Sequence, residues 1–90
     1  MKRKKEQFKN QSSTFSRQIQ EVFGVKIELH SNTEAIIEGC SNVTDYYEDR
    51  IKFNLHNRSV TFFGNNLAIV SFYDGVAIIR GEITSVEWTD

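Results

Sequence analysis

The sequence predicts an all-β fold: a small antiparallel β-sandwich or partly open barrel of about seven short strands, preceded by a short N-terminal helix. Three observations carry that expectation. From Val25 to Trp88 apolar and polar residues alternate, the pattern of strands with one buried face. Turn-forming residues interrupt the alternation at short intervals, at Gly39, Asn57, Gly64, Asn65-Asn66, Asp74-Gly75 and Gly81. No helical periodicity separates these runs, so parallel βαβ units are excluded and the sheet should be mostly antiparallel.

Each element follows from its residues. Residues 1–13 are polar and end in "NQSS", which predicts a flexible arm ahead of a single β domain over 14–90. In "TFSRQIQEVFG", Phe15, Ile19, Val22 and Phe23 fall on one helical face. Thr14 can cap that segment and Gly24 can end it, so a helix is expected over 15–23, lying against the sheet. "VKIELH" then points Val25, Ile27 and Leu29 inward, and "SNT" turns the chain. "EAIIEG" is a strand ending at Gly39. Val43 starts a short strand, and "YYEDR" forms the next connection. "IKFNLH" buries Ile51, Phe53 and Leu55. "SVTFFG" buries Val60 and Phe62. Asn65-Asn66 makes a left-handed turn, and "LAIVSF" follows with Leu67 and Ile69 on one face. Asp74-Gly75 is the strongest hairpin signal in the chain. "VAIIRG" is expected to face inward with Val76 and Ile78. Gly81 permits a bulge or bend, and Ile83, Val86 and Trp88 close the core.

Composition bounds the function. The chain has 90 residues, enough for one compact core and too few for a cleft between domains. Its near-neutral net charge of -1 hides an asymmetry. Lys2, Arg3, Lys4, Lys5 and Lys9 stand against Glu6 alone in the first nine residues, while the rest holds six Lys/Arg and eleven Asp/Glu. An acidic domain therefore follows a basic arm, and Lys2, Arg3, Lys4 and Lys5 are candidates for contact with an anionic membrane or a partner. No run is long and apolar enough for a membrane span or a signal peptide, so a cytoplasmic protein is expected.

Candidate chemistry is sparse. The single cysteine, Cys40, has no internal disulfide partner, and neither His30 nor His56 is spaced to pair with it as a base or a metal ligand. Glu48-Asp49 and Glu34 with Glu38 lack an apolar setting that would raise one carboxyl pKa for acid–base work. No catalytic set, cofactor or metal is expected. Phe62-Phe63 and Tyr46-Tyr47 are adjacent aromatic pairs, and on a regular strand one member of each must lie on the outer face. Phe63, together with Phe72 and Tyr73 at a strand end, is thus a candidate contact residue, since outward aromatics gather into interfaces.

The order of these pieces carries a family resemblance. Ile36–Gly39, Val43, Tyr46–Asp49, Ile51 with Phe53, Phe62–Gly64, Leu67 with Ile69, and Ile78-Ile79 with Gly81, Ile83, Val86 and Trp88 resemble the YabP/YqfC family of sporulation proteins from endospore-forming Firmicutes. The likeness spans Ile36 to Trp88 and rests on core and turn positions. It implies a non-enzymatic interaction or morphogenetic protein of the mother cell, placed at the forespore outer membrane beside a membrane-protein partner, with self-association as a further expectation. The competing class is a small β-barrel that binds nucleic acid through the basic arm. The net charge of −5 beyond residue 9 opposes it.

Overall fold

The computed structural model describes residues 3–7, 17–22 and 24–89, with side chains from Gly24 to Thr89. It is all-β. Eight strands, β1 (Arg3–Gln7), β2 (Arg17–Val22), β3 (Val25–His30), β4 (Glu34–Glu38), β5 (Asn42–Tyr47), β6 (Arg50–Asn54), β7 (Ser59–Tyr73) and β8 (Val76–Thr89), form one antiparallel sheet. The order is β2-β3-β4-β8-β7-β6-β5, and β1 pairs with β8.

A long hairpin, β7 with β8, is the spine. Asp74 and Gly75 close it with φ of 55° and 77°, the two left-handed residues of a tight hairpin turn. Each half of β8 serves a different neighbour. Val76–Arg80 pairs with β4, and Ser85–Thr89 pairs with β1. On β7 only Ser59–Phe63 pairs with β6.

Three bulges bend the spine. Thr84 is an extra residue opposite the step from Phe63 to Gly64; Asn66 and Leu67 together face Gly81; Val70 is unmatched between Ile69 and Ser71. Gly64 and Gly81 allow the strands to approach at the bend. A Cβ on Gly64 would stand 1.8 Å from the Glu82 carbonyl oxygen, and one on Gly81 would stand 2.6 Å from that of Asn66. The bend folds the sheet over one apolar interior. Val25, Ile27, Leu29, Ala35 and Ile37 line it from β3 and β4; Ile51, Phe53, Val60, Phe62, Val86 and Trp88 line it from β6 and the other half of the spine. The result is a partly open barrel made from a single sheet.

Five details differ from the sequence expectation. Of "YYEDR", expected as a connection, Tyr46 and Tyr47 belong to β5 and Arg50 begins β6, so only Glu48-Asp49 turn; pairing of Tyr46 and Tyr47 with Ile51 and Arg50 extends the strands to the tight turn. Within the segment expected to be helical, residues 17–22 form a strand paired with β3, while 14–16 and 23 lie outside the described residues. Gly24, with φ of 81°, serves the β2–β3 turn instead of ending a helix. Both uses need the same left-handed backbone, and an isolated helix this short is marginal where a strand edge offers pairing. Likewise, residues 3–7 of the expected arm run as β1 along β8; the rest of 1–13 lies outside the described residues. Asn66 is left-handed as expected, φ 54°, yet the chain continues as a bulged strand there instead of reversing. Finally, Ala77 and Ile79 face the core, not Val76 and Ile78. The run "VAII" is apolar on both faces, so its own pattern cannot choose. Pairing with inward Ala35 and Ile37 decides, because opposed residues share a face.

Candidate functional site

The bend creates an open seam. Beyond Gly64 β7 leaves β6, and its outer edge loses a strand partner. The β5–β6 turn covers the first part of that edge. Gly64 N donates to the Asp49 carbonyl at 3.0 Å, and Leu67 N donates to that of Glu48 at 2.8 Å. Ile69 N donates to the Tyr46 hydroxyl oxygen at 2.9 Å. Past Ile69, among the described residues, no hydrogen bond closes the outer edge through Tyr73.

Aromatic side chains collect along this seam. Tyr46 and Tyr47 are 53% and 54% exposed, Val70 49%, Phe72 39% and Tyr73 80%. Phe72 is anchored from inside: its ring meets Phe53 edge-on at 6.1 Å between centroids, and Phe53 meets Phe62 at 6.0 Å. Edge-to-face stacking of this kind adds about 0.5–1.5 kcal/mol per pair beyond burial. On the opposite side Arg50 lies over the Tyr47 ring, 4.9 Å from its centroid, with its Nε 4.0 Å from Asp45 Oδ2. Between Tyr46, Tyr47, Glu48, Asn66, Leu67 and Ala68 a cleft of about 680 Å³ opens to solvent. Its lining offers apolar contact and aromatic faces to an incoming chain. It holds one carboxylate, from Glu48, and no nucleophile.

The expected contact residues divide. Phe72 and Tyr73 lie in the seam. Phe63 does not: it is half-buried on the other half of β7, opposite Ser85 and Arg50. Arg3, Lys4 and Lys5 are carried on β1 opposite Thr89, Trp88 and Glu87, and Lys2 lies outside the described residues. Both tyrosines of the Tyr46-Tyr47 pair are exposed, where alternation requires only one. Val70 is not singled out by its residue type, although alternation with Leu67 and Ile69 on the inner face already places it outward.

Of the residues weighed for chemistry, Glu48 lines the cleft and Asp49 caps the seam through its carbonyl, while Cys40, His30 and His56 lie apart from it. Cys40 is buried between β4 and β5, where its thiol donates to the Gly75 carbonyl at 3.4 Å. Burial pushes its pKa up, against a smaller lowering effect from a hydrogen bond with Cys40's own backbone. A buried neutral thiol is a poor nucleophile. His30 sits on β3 with Nε2 2.9 Å from Glu28 Oε2, and His56 is exposed in the turn after β6. Among the described residues no group of three or more His, Cys, Asp or Glu could hold a metal ion, and no helix is long and apolar enough to cross a membrane.

Compared with known proteins, the chain matches no family model, no curated protein and no solved structure. The seam therefore has to be interpreted from its own chemistry.

Proposed function

We propose that this protein is a non-enzymatic interaction module of the YabP/YqfC kind, acting in the mother cell of a sporulating bacterium at the forespore outer membrane, beside a membrane-protein partner. The observation that supports this most is the aromatic seam with its solvent-open cleft at Tyr46, Tyr47, Leu67 and Ala68. Exposed tyrosines around an apolar hollow suit a protein contact, since each ring provides large area with few rotors to immobilise. A reaction centre would need convergent polar groups in an enclosed setting, and the cleft provides neither.

The basic residues of β1 fit the same setting. They place three cations along one sheet edge, at about 1 kcal/mol of attraction each near an anionic headgroup layer. Residues 24–89 carry five Lys/Arg against nine Asp/Glu, which disfavours the nucleic-acid alternative.

The test is affinity capture from detergent-solubilised membranes of sporulating cells, comparing the wild-type chain with Tyr47→Ser. Tyr47 is on the surface, so the variant should fold normally. Retention of a membrane protein by the wild type and its loss with the variant is the expected result; equal capture by both rejects the cleft. Co-sedimentation with anionic vesicles, with and without residues 1–13, checks the basic segment separately. Equal binding by both forms rejects its role.

A further inference from the structure

The four sheet edges that have no further strand partner among the described residues differ in charge. β1 carries Arg3, Lys4, Lys5 and Glu6; β2 carries Arg17 and Glu21; β5 carries Asp45. β7 has no Asp, Glu, Lys or Arg in 15 residues. Charge on an edge is a common protection against strand-to-strand association, and β7 lacks it. Beyond Val70 its residues Ser71, Phe72 and Tyr73 hold regular register with Ile78, Ala77 and Val76, so the outer side presents an ordered backbone template.

We propose that the free edge of β7 at Val70–Tyr73 is where a second copy of this chain pairs, strand to strand and antiparallel, across a two-fold axis at or next to Ser71. The inference extends the reading of the molecule as an interaction module and names the occupant of one part of the seam. It does not depend on the sporulation setting.

Two physical arguments select a second copy. The first is charge. This edge has nothing to offer a charged peptide, so its complement is an uncharged extended segment, and its own twin is one. Within Val70–Tyr73 two-fold pairing sets no charged residue against another. The Tyr46 hydroxyl already takes the Ile69 N–H, so the free template begins at Val70, and with the axis at Ser71 the Val70 of one copy faces Phe72 of the other.

The second argument is area. Taking about 200 Å² for a fully exposed aromatic side chain, the exposed fractions of Tyr46, Phe72 and Tyr73, with Val70, leave roughly 400–500 Å² per copy. Two copies would bury about 800–1,000 Å², at the threshold for a specific interface and typical of a reversible one. A weak dimer follows, in equilibrium with monomer.

Sedimentation velocity and light scattering on the full chain, from micromolar to millimolar concentration, test this. The expected result is a concentration-dependent dimer that changes little with salt, because the paired segment itself carries no charge. Ser71 is exposed, and Ser71→Lys sets like charges against each other near the axis, raising the dissociation constant at least about tenfold. Ser71→Glu should do the same, and an equimolar mixture of the two variants should restore dimer. Circular dichroism confirms that each variant is folded; Tyr73→Ser is a second disrupting change at an 80% exposed position. A wild type that stays monomeric throughout, or variants that dimerise unchanged, would overturn the proposal. A monomer that still captures its membrane partner removes the dimer alone, and a dimer that captures nothing removes only the sporulation reading.

Discussion

Gly64→Ala tests the bend on which the seam depends. A methyl group there would lie 1.8 Å from the Glu82 carbonyl oxygen, 2.9 Å from its carbon and 3.1 Å from Ile83 Cα. A close C···O contact is about 3.3 Å, so β7 and β8 would have to part by about 1.5 Å. All three neighbours are backbone, so no rotamer change relieves the clash. The displacement also strains the bonds from Gly64 N to Asp49 and from Leu67 N to Glu48. Overpacking costs about 1–3 kcal/mol, and each weakened hydrogen bond about 0.5–1.5 kcal/mol. The expected loss is about 2–6 kcal/mol, against a total stability of about 5–13 kcal/mol for a chain of this size. Urea unfolding followed by Trp88 fluorescence measures it. Trp88 is the single tryptophan and is buried, so its emission reports opening of the core. Gly24→Ala is the comparison. Nothing lies within 4 Å of that position, and only its left-handed backbone resists, at about 1–2 kcal/mol. If Gly64→Ala unfolds within about 0.5 kcal/mol of wild type, the close-approach reasoning fails.

Three other outcomes are expected. Phe53→Ala removes a fully buried ring in edge contact with both Phe62 and Phe72; a loss of about 3–5 kcal/mol should appear in the same titration. Arg80→Ala breaks the 3.0 Å pair with Glu34 Oε2, but the arginine is mostly exposed, so thermal melts should register no more than about 1 kcal/mol. For Cys40, burial raises the folded-state pKa, so the neutral thiol's contribution is complete below the ordinary value of 9.0 and is lost as pH rises through the folded pKa. Stability should decline at alkaline pH in wild type and less in Cys40→Ala, and a thiol reagent at pH 8 should react with the native chain far more slowly than with the urea-unfolded one.

Much of the architecture could be read from residue order. Val25, Ile27 and Leu29, then Ile51, Phe53 and Leu55, then Val60 and Phe62, then Ile83, Val86 and Trp88 were all assigned to the core by alternation, and all are buried. Asp74-Gly75 was legible as a hairpin because its backbone needs are local. The seam was legible only in part. Phe72, Tyr73 and one of each aromatic pair could be suspected of facing out, but nothing local distinguished Phe63, which packs, from Tyr47, which does not. That difference arises where β6 stops pairing with β7, a contact between segments far apart in the chain.

Alternation and turn chemistry, properties of a few neighbouring residues, thus determined that this chain forms antiparallel strands, which side chains most of them bury, and where it reverses. Tertiary structure decided the rest: that 17–22 pair as a strand, that Asn66 and Gly81 bend a continuous ribbon instead of ending it, that Ala77 and Ile79 turn inward, and that one uncharged edge stays open. Each of those outcomes compares pairing partners distant in sequence. A short segment has similar energy in either alternative until a neighbouring strand supplies or withholds the hydrogen bonds and the apolar surface.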